Sequence, residues 1–532
     1  MKRTTLSAVA SAGNASPVLA LSRRLAAIGI VLFAVMMGLY GLLAIETAQV
    51  NFAATYDDSV LQQRLETRAQ AQSGQVEGIE ARAWASSGLV WVGISKLTSP
   101  KQWYGSEGMF DTVIHYAEMP RSRIANLSLH SLLGGICMVI GGFQFWPAFR
   151  RRYPRWHRAA GITYIVAAQT AMIMAMVFLI RSPLRELYDT LTFSVGLWYL
   201  AIGVTLSLWL SLYHLSRREI AQHQVYMVIS YALLLTAPFT RIYWVAAGML
   251  FPGSSQIVVN YVASAVLTPT CILMGYALLC LNRWLQEDRT APNPRPGVAP
   301  AWQQRLRSAF TLLAMLLAGA GAITVWWFYI LHPGLASFAT ARELVPASVI
   351  AHDGAVLGEL TVSRLIYAAS TLAALLVLML LLWHAFQRAE VNRKRLVMQC
   401  AAVLAVLAAV GGMVLIYWGG LLGGPSHGVL SGGAPFVLNG SCQLLFALLL
   451  GGALWRGSHA LIKEFSVFML FCLLATPVFY WALPIFGLFP VPADIVQQGH
   501  LYRLSMYAGL YLLIFAMAYS AYSTVTQQKF AR

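Results

Sequence analysis

The sequence predicts an all-α polytopic membrane bundle of about twelve transmembrane helices, built as two parallel six-helix repeats. Three observations lead there. The chain is 58% hydrophobic and 11% charged over 532 residues, more apolar surface than a water-soluble core can hide. Apolar runs long enough to cross a bilayer recur along its whole length. The segment Trp146 to Arg158 (WPAFRRRYPRWHR) has a counterpart 237 positions further on, Trp383 to Arg395 (WHAFQRAEVNRKR), with Trp, Ala, Phe and two Arg in register.

The first apolar run, from Leu25 to Ile45, is about twenty residues long, and the small residues a cleavage site needs lie before it. It reads as an anchored first helix. A long external loop follows over 48–125. Its helix-forming stretch Val60 to Arg82 and its short apolar run Ala83 to Leu97 read as a cap over the membrane-embedded bundle; docking a protein partner is the alternative role. Five more runs lie at about 126–149, 159–181, 188–213, 224–251 and 256–281, completing a first repeat over 1–283. Residues 284–305 are rich in proline and polar side chains, which makes them a cytoplasmic linker. A second, degenerate repeat over 306–532 has runs at about 308–331, 361–386, 396–418, 434–455, 465–487 and 500–524.

The offset between the halves persists beyond the first match. Phe251-Pro252 pairs with Phe489-Pro490, Ala237-Pro238 with Thr476-Pro477, Val225-Tyr226-Met227 with Val467-Phe468-Met469, and Met274 with Met517. With the N-terminus in the cytoplasm, 24 of the 37 Lys and Arg fall on the cytoplasmic side; seven of the 13 others lie in the long loop, which counts little for orientation. Both termini are therefore expected in the cytoplasm of a bacterial inner membrane. An even number of spans per half makes the repeats parallel.

The formal charge of +17 sits in short connections between apolar runs rather than on one extended face, so the expected partner is the lipid bilayer and not nucleic acid. All six cysteines fall in or beside apolar runs without C-x-x-C spacing, which argues against disulfides and a thiolate metal site. Gly419 to Gly433 is glycine-rich but lacks the strand-to-helix setting of a phosphate loop.

Ionisable groups near the hydrocarbon core are the places to look for function, because a charge there is costly. In the first half these are His130, His157, His223 and Arg241. His157 and His223 open two helices that start from the same side, and two such imidazoles can hold a haem iron from opposite faces. His130 and Arg241 form an outer polar pair, His130 about one turn inside its helix. The plain alternatives are interfacial histidines near lipid phosphates and, for Arg241, snorkelling to water or pairing with Asp189. In the second half the matching positions are Tyr367, Lys394, Glu464 or Phe465, and Phe479 to Tyr480. His384, His427 and His459 lie near loops and do not rebuild the set.

His130 followed by Ser131-Leu132-Leu133-Gly134-Gly135, then Gly142-Phe143-Gln144-Phe145, Arg150 to Arg152, His157-Arg158, Gly161 to Tyr164, His223 with Met227, Ser230-Tyr231 and Arg241-Ile242-Tyr243 resemble a family of predicted bacterial membrane proteins, domain of unknown function 2306. The resemblance covers about residues 110–250. It implies a helical bundle with recurring His and Arg positions and no known reaction. Where the family has Leu-Gly-Pro this chain has Ile140-Gly141-Gly142, and where it has Arg-Arg after the second histidine this chain has Gln224-Val225. The leading functional expectation is a haem-binding or redox-associated membrane protein, with haem b held by His157 and His223. The alternatives are a small-molecule transporter built from two parallel halves and a non-catalytic assembly factor working through the loop 48–125. Whether the chain is an enzyme is left open.

Overall fold

The computed structural model describes residues 17–53, 55–73, 88–104, 108–109, 119–183, 190–287, 301–338, 340–386, 393–423 and 433–509. Its regular elements are all helical. That follows from the solvent: lipid offers no partner to a backbone N–H or C=O, so each crossing segment must satisfy its own.

In the first half the elements are α1 (Pro17–Ala53), α2 (Asp58–Gln72), α3 (Leu89–Leu97), α4 (Pro100–Tyr104), α5 (Arg121–Gln144), α6 (Pro147–Arg152), α7 (Pro154–Arg181), α8 (Thr190–Ser216), α9 (Ile220–Leu234), α10 (Thr236–Leu250) and α11 (Gln256–Glu287). Helices α6 and α7 each start on a proline, whose missing N–H would have been unpaired there anyway. The fifth predicted span is broken at Leu235 into α9 and α10. Pro238 supplies the cause, since it cannot donate to the carbonyl of Leu234.

The second half has α12 (Ala301–Trp326), extended by a wide turn over Trp327–Leu331, then α13 (Ala341–Leu344), α14 (Ala347–Asp353), α15 (Thr361–Phe386), α16 (Arg393–Leu421), α17 (Gly433–Trp455), α18 (His459–Phe486) and α19 (Ala493–Gln497). Ser458 caps α18, its side chain accepting from the Leu461 N–H. Among the described residues ten helical segments are long and apolar enough to cross a membrane. Helix α11 lies at the sixth predicted position, with an apolar stretch at Leu267–Leu279. A further helix begins at His500 and is described to Gly509. The remainder of the predicted last span, most of the linker and much of the loop 48–125 lie outside the described residues, as do His427 and Asp189.

Packing follows a simple order in each half. In the first, α5 lies between α1 and α7, α8 packs on α7 and α9, and α11 closes on α9 and α10. In the second, α15 lies between α12 and α16, α17 packs on α16 and α18, and α18 reaches back to α12 and α15. One apolar core runs through both halves, joined where Tyr276 of α11 meets Phe468 of α18 edge to face at 4.9 Å. Close approach of α16 and α17 depends on Gly412 and Gly440, because a Cβ on either would collide with the backbone of the other. The described cysteines are free, Cys137, Cys271, Cys442 and Cys472 being buried and behaving as small apolar residues.

The short connection between α12 and α15 is a packed layer rather than a bare loop. Val345, Val349 and Leu357 join Tyr329, Tyr367, Trp418 and Tyr480 in a second core. Asp353, 5% exposed, closes it by accepting a 2.8 Å bond from the Leu335 N–H. Burial pushes its carboxyl up to about 6 from an ordinary 3.8, with the Leu335 bond acting against the rise. A carboxyl whose folded pKa is raised stabilises fully below about pH 4, and that contribution fades as pH climbs through 6. The loss by pH 7 is about 3 kcal/mol. We therefore expect Asp353→Asn, which keeps the acceptor for Leu335, to melt higher than the parent at pH 7 and level with it at pH 4. Parallel melting profiles of the two proteins across that interval would refute the assignment.

Candidate functional site

A cavity of about 360 Å³ lies inside the first half. Its walls are α1, α5, α7, α8, α9, α10 and α11, and its roof is α3 and α4. Every described lining residue lies between Tyr40 and Thr268. Most of the wall is apolar, from Leu127 and Met172 to Leu200 and Leu267, with a few polar groups converging on it. That mixture is the usual make-up of a small-molecule site.

His130 and Arg241, the outer pair expected from the sequence, both line this cavity and interact electrostatically. Helix α5 begins at Arg121, earlier than its apolar run suggests, so His130 sits nine residues inside the helix end and not one turn. Arg241 is likewise nine residues from the end of α10 at Leu250. At 1.5 Å per residue both lie about 14 Å below their helix ends. Nδ1 of His130 is 2.9 Å from the carbonyl oxygen of Ala171 on α7. A carbonyl only accepts, so Nδ1 carries the hydrogen and Nε2 keeps the lone pair in the neutral ring.

Arg241 stays charged in any protein setting. Its Nη1 donates to the Ala237 carbonyl at 3.1 Å, and its guanidinium carbon lies 4.8 Å from the Trp244 ring centroid and 5.9 Å from that of Tyr40. Ring faces attract a cation but do not neutralise it. Nε of Arg241 is buried without a partner, and no described carboxylate pairs with the guanidinium. The pairing with Asp189 falls outside the described residues.

The roof is held by polar bonds that the sequence does not signal. Trp91 Nε1 donates to Thr47 at 2.8 Å and the Val90 N–H to Glu46 at 3.0 Å, tying α3 to α1. Gln102 of α4 donates to the Trp244 carbonyl at 3.1 Å and to Gln256 at 2.8 Å, while Gln256 and Trp244 both donate to Asn260 at 2.9 Å. Trp91 packs edge-on to Trp103 and stacks on Trp244. Gln102, Gln256 and Asn260 sit in no motif, and only their burial against one another marks them.

The inner pair is arranged differently. His223 Nδ1 lies 2.8 Å from Ser211 Oγ and 3.1 Å from the Ser211 carbonyl. His157 is close enough to His223 to feel its charge, and its own Nδ1 is buried without a partner. Neither histidine lines the cavity. A third imidazole, His214, missed in the sequence, pairs with Glu219 at 2.7 Å and stacks on Tyr226. Between the two levels, the buried hydroxyls of Tyr164 and Tyr231 are used on Ser230 and the Met138 carbonyl.

Residues 127–278 match the family model DUF2306, described as predicted membrane protein. The match starts later than the resemblance read from the sequence and runs on into α11. No curated protein and no solved structure matches the chain. His130, His157, His223 and Arg241 all lie within the DUF2306 segment, whereas Tyr40, Trp91 and Trp103 come to the cavity from outside it.

The roof rests on Gly248 of α10, where an added Cβ would stand 2.7 Å from the Thr98 Cα and 3.0 Å from the Ser99 backbone nitrogen. Backbone cannot yield as a side-chain tip can. Gly248→Leu is expected to lift residues 88–104 off the bundle and make them sensitive to limited proteolysis while the helical content is kept. Unchanged protection of that segment would show that the roof does not rest on this contact.

Proposed function

We propose that the first half of this protein binds an apolar-bodied molecule with an anionic head in the outer cavity, the head meeting Arg241 and the body lying along α5, α7 and α8. One observation carries the reading: a membrane-embedded guanidinium with a buried, unpartnered Nε faces a cavity whose described lining has no carboxylate. An uncompensated charge at such depth is costly, and an anion removes the cost.

The cavity's placement within one half also bears on transport. Transporters built from two parallel halves set their substrate site at the junction of the halves, and here all described lining residues belong to the first. The second half is then support. We read it as a copy of the first, in agreement with the shared packing order. Where the first half is hollow, Tyr367 and Tyr480, opposite His130 and Arg241 in that alignment, lie in a packed aromatic group with Tyr329 and Trp418. The setting we assign is a bacterial inner membrane with both termini in the cytoplasm, in agreement with the basic hairpins around Arg150 and Arg217.

A haem on His157 and His223 is the second reading. It is favoured by their electrostatic proximity and by the Ser211 carbonyl, which accepts from His223 Nδ1 and leaves Nε2 free to ligate, the way outer partners orient an imidazole toward a metal. With a haem bound, the protein would gain electron-transfer chemistry at the inner level.

Two measurements test these readings. In lipid nanodiscs, decanesulfonate is expected to bind the full-length protein while 1-decanol does not, and Arg241→Gln is expected to weaken decanesulfonate at least tenfold, the usual worth of hydrogen bonds to a charged group. Equal binding of the alcohol would remove the anionic head from the reading. Competition by phosphatidylglycerol assigns the natural ligand to the bilayer, and lack of competition assigns it to a soluble amphiphile. For haem, protein purified from haem-replete cells is expected to show a Soret band that His223→Ala abolishes. A spectrum without the band eliminates the cofactor.

A further inference from the structure

The anion reading leaves His130 without a task, yet its ring is set up for one. Ala171 fixes the hydrogen on Nδ1, so the atom left to exchange protons is Nε2, on a ring that lines the same cavity as Arg241. Among the described lining residues only Tyr40, His130 and Arg241 titrate or carry charge. Tyr40 comes from α1 and Arg241 from α10, while α7, α8, α9, α11 and the roof segments α3 and α4 contribute none. The nearest described carboxylate of α1, Glu46, is turned to the roof, accepting from the Val90 N–H.

Protonating Nε2 in the empty cavity sets an imidazolium beside a guanidinium, with no anion to offset either. Both the repulsion and the poor solvation oppose it. An anion held between the two cations cancels both costs. Since coupling between two ligands is reciprocal, whatever the anion does for the proton the proton does for the anion.

Building on the anion site above, we propose that His130 takes up one proton at Nε2 as the anion settles against Arg241, so that the cavity loads and releases anion and proton together. The step forms one N–H bond with a proton drawn from solvent. Nothing is oxidised or reduced, and the reverse step returns the proton when the anion leaves. The site is therefore suited to an acid that crosses or enters the membrane without net charge, delivered as its anion and a proton.

Decanesulfonate is the probe of choice because its head is ionised at every working pH, so any pH dependence belongs to the protein. With the full-length protein in nanodiscs, its Kd is expected to rise about tenfold per pH unit where His130 deprotonates. Calorimetry in two buffers of different ionisation enthalpy is expected to show uptake approaching one proton per decanesulfonate. His130→Gln, whose amide can still donate to Ala171, is expected to bind the probe with a Kd independent of pH. Binding with a flat pH profile and no proton uptake overturns the coupling and leaves the anion site standing. Absence of binding at every pH overturns the anion site and the coupling with it. A His130→Gln protein that keeps the parent's slope puts the proton elsewhere and also overturns the proposal. If that variant does not fold, the proton count on the parent protein decides.

Discussion

A guanidinium about 14 Å inside its helix, faced by aromatic rings instead of a carboxylate, is the constraint around which the first half is organised. Arg241 cannot shed its proton, so the surrounding elements must make the charge tolerable. Trp244 and Tyr40 present ring faces to it, and Ala237 offers a carbonyl one turn back. The break between α9 and α10 at Leu235 comes just before this turn, in the same short stretch as Pro238. The space left open beyond Arg241 is the cavity.

The second half also buries a guanidinium, but near a helix start. Arg364, three residues into α15, donates its Nη1 to the carbonyls of Leu357 and Gly358 at 2.8 and 3.2 Å, so the layer before α15 is folded onto it. Aromatic rings fill the volume that stays hollow in the first half, with Tyr329 and Trp418 stacked 5.9 Å apart. The helix order is similar in the two halves, and the described residues of one enclose a cavity where those of the other pack aromatic rings. The roof reinforces that contrast, since α3 and α4 close the hollow half through side-chain amides and tryptophans.

Several parts of the candidate site were legible in the sequence because a charge in an apolar run stands out. His130 and Arg241 were found that way, and their common level followed from helical rise. Their depth was underestimated for His130, because the polar residues around Arg121 and Arg123 end the apolar run while the helix continues through them to Arg121. His214 was passed over beside Arg217 and Arg218, where a basic loop gives every residue the look of an interfacial one. Tyr40, Gln102, Gln256 and Asn260 carried no signal, since a polar residue buried by a distant partner has the same local sequence as one facing water.

The sequence by itself determined that this chain is helical, that it lies in a membrane and where most of its spans begin and end, because the cost of an unpaired backbone group in lipid leaves one solution for each long apolar run. It also determined which side chains were too costly to be there by accident. Only the tertiary structure decided that His130 and Arg241 share a cavity which His157 and His223 do not line, and that α3 and α4 roof it. The reason is physical: helix periodicity sets the depth of a residue, but which helix its side chain meets depends on how the bundle packs, and that information is spread over contacts between residues far apart in the chain.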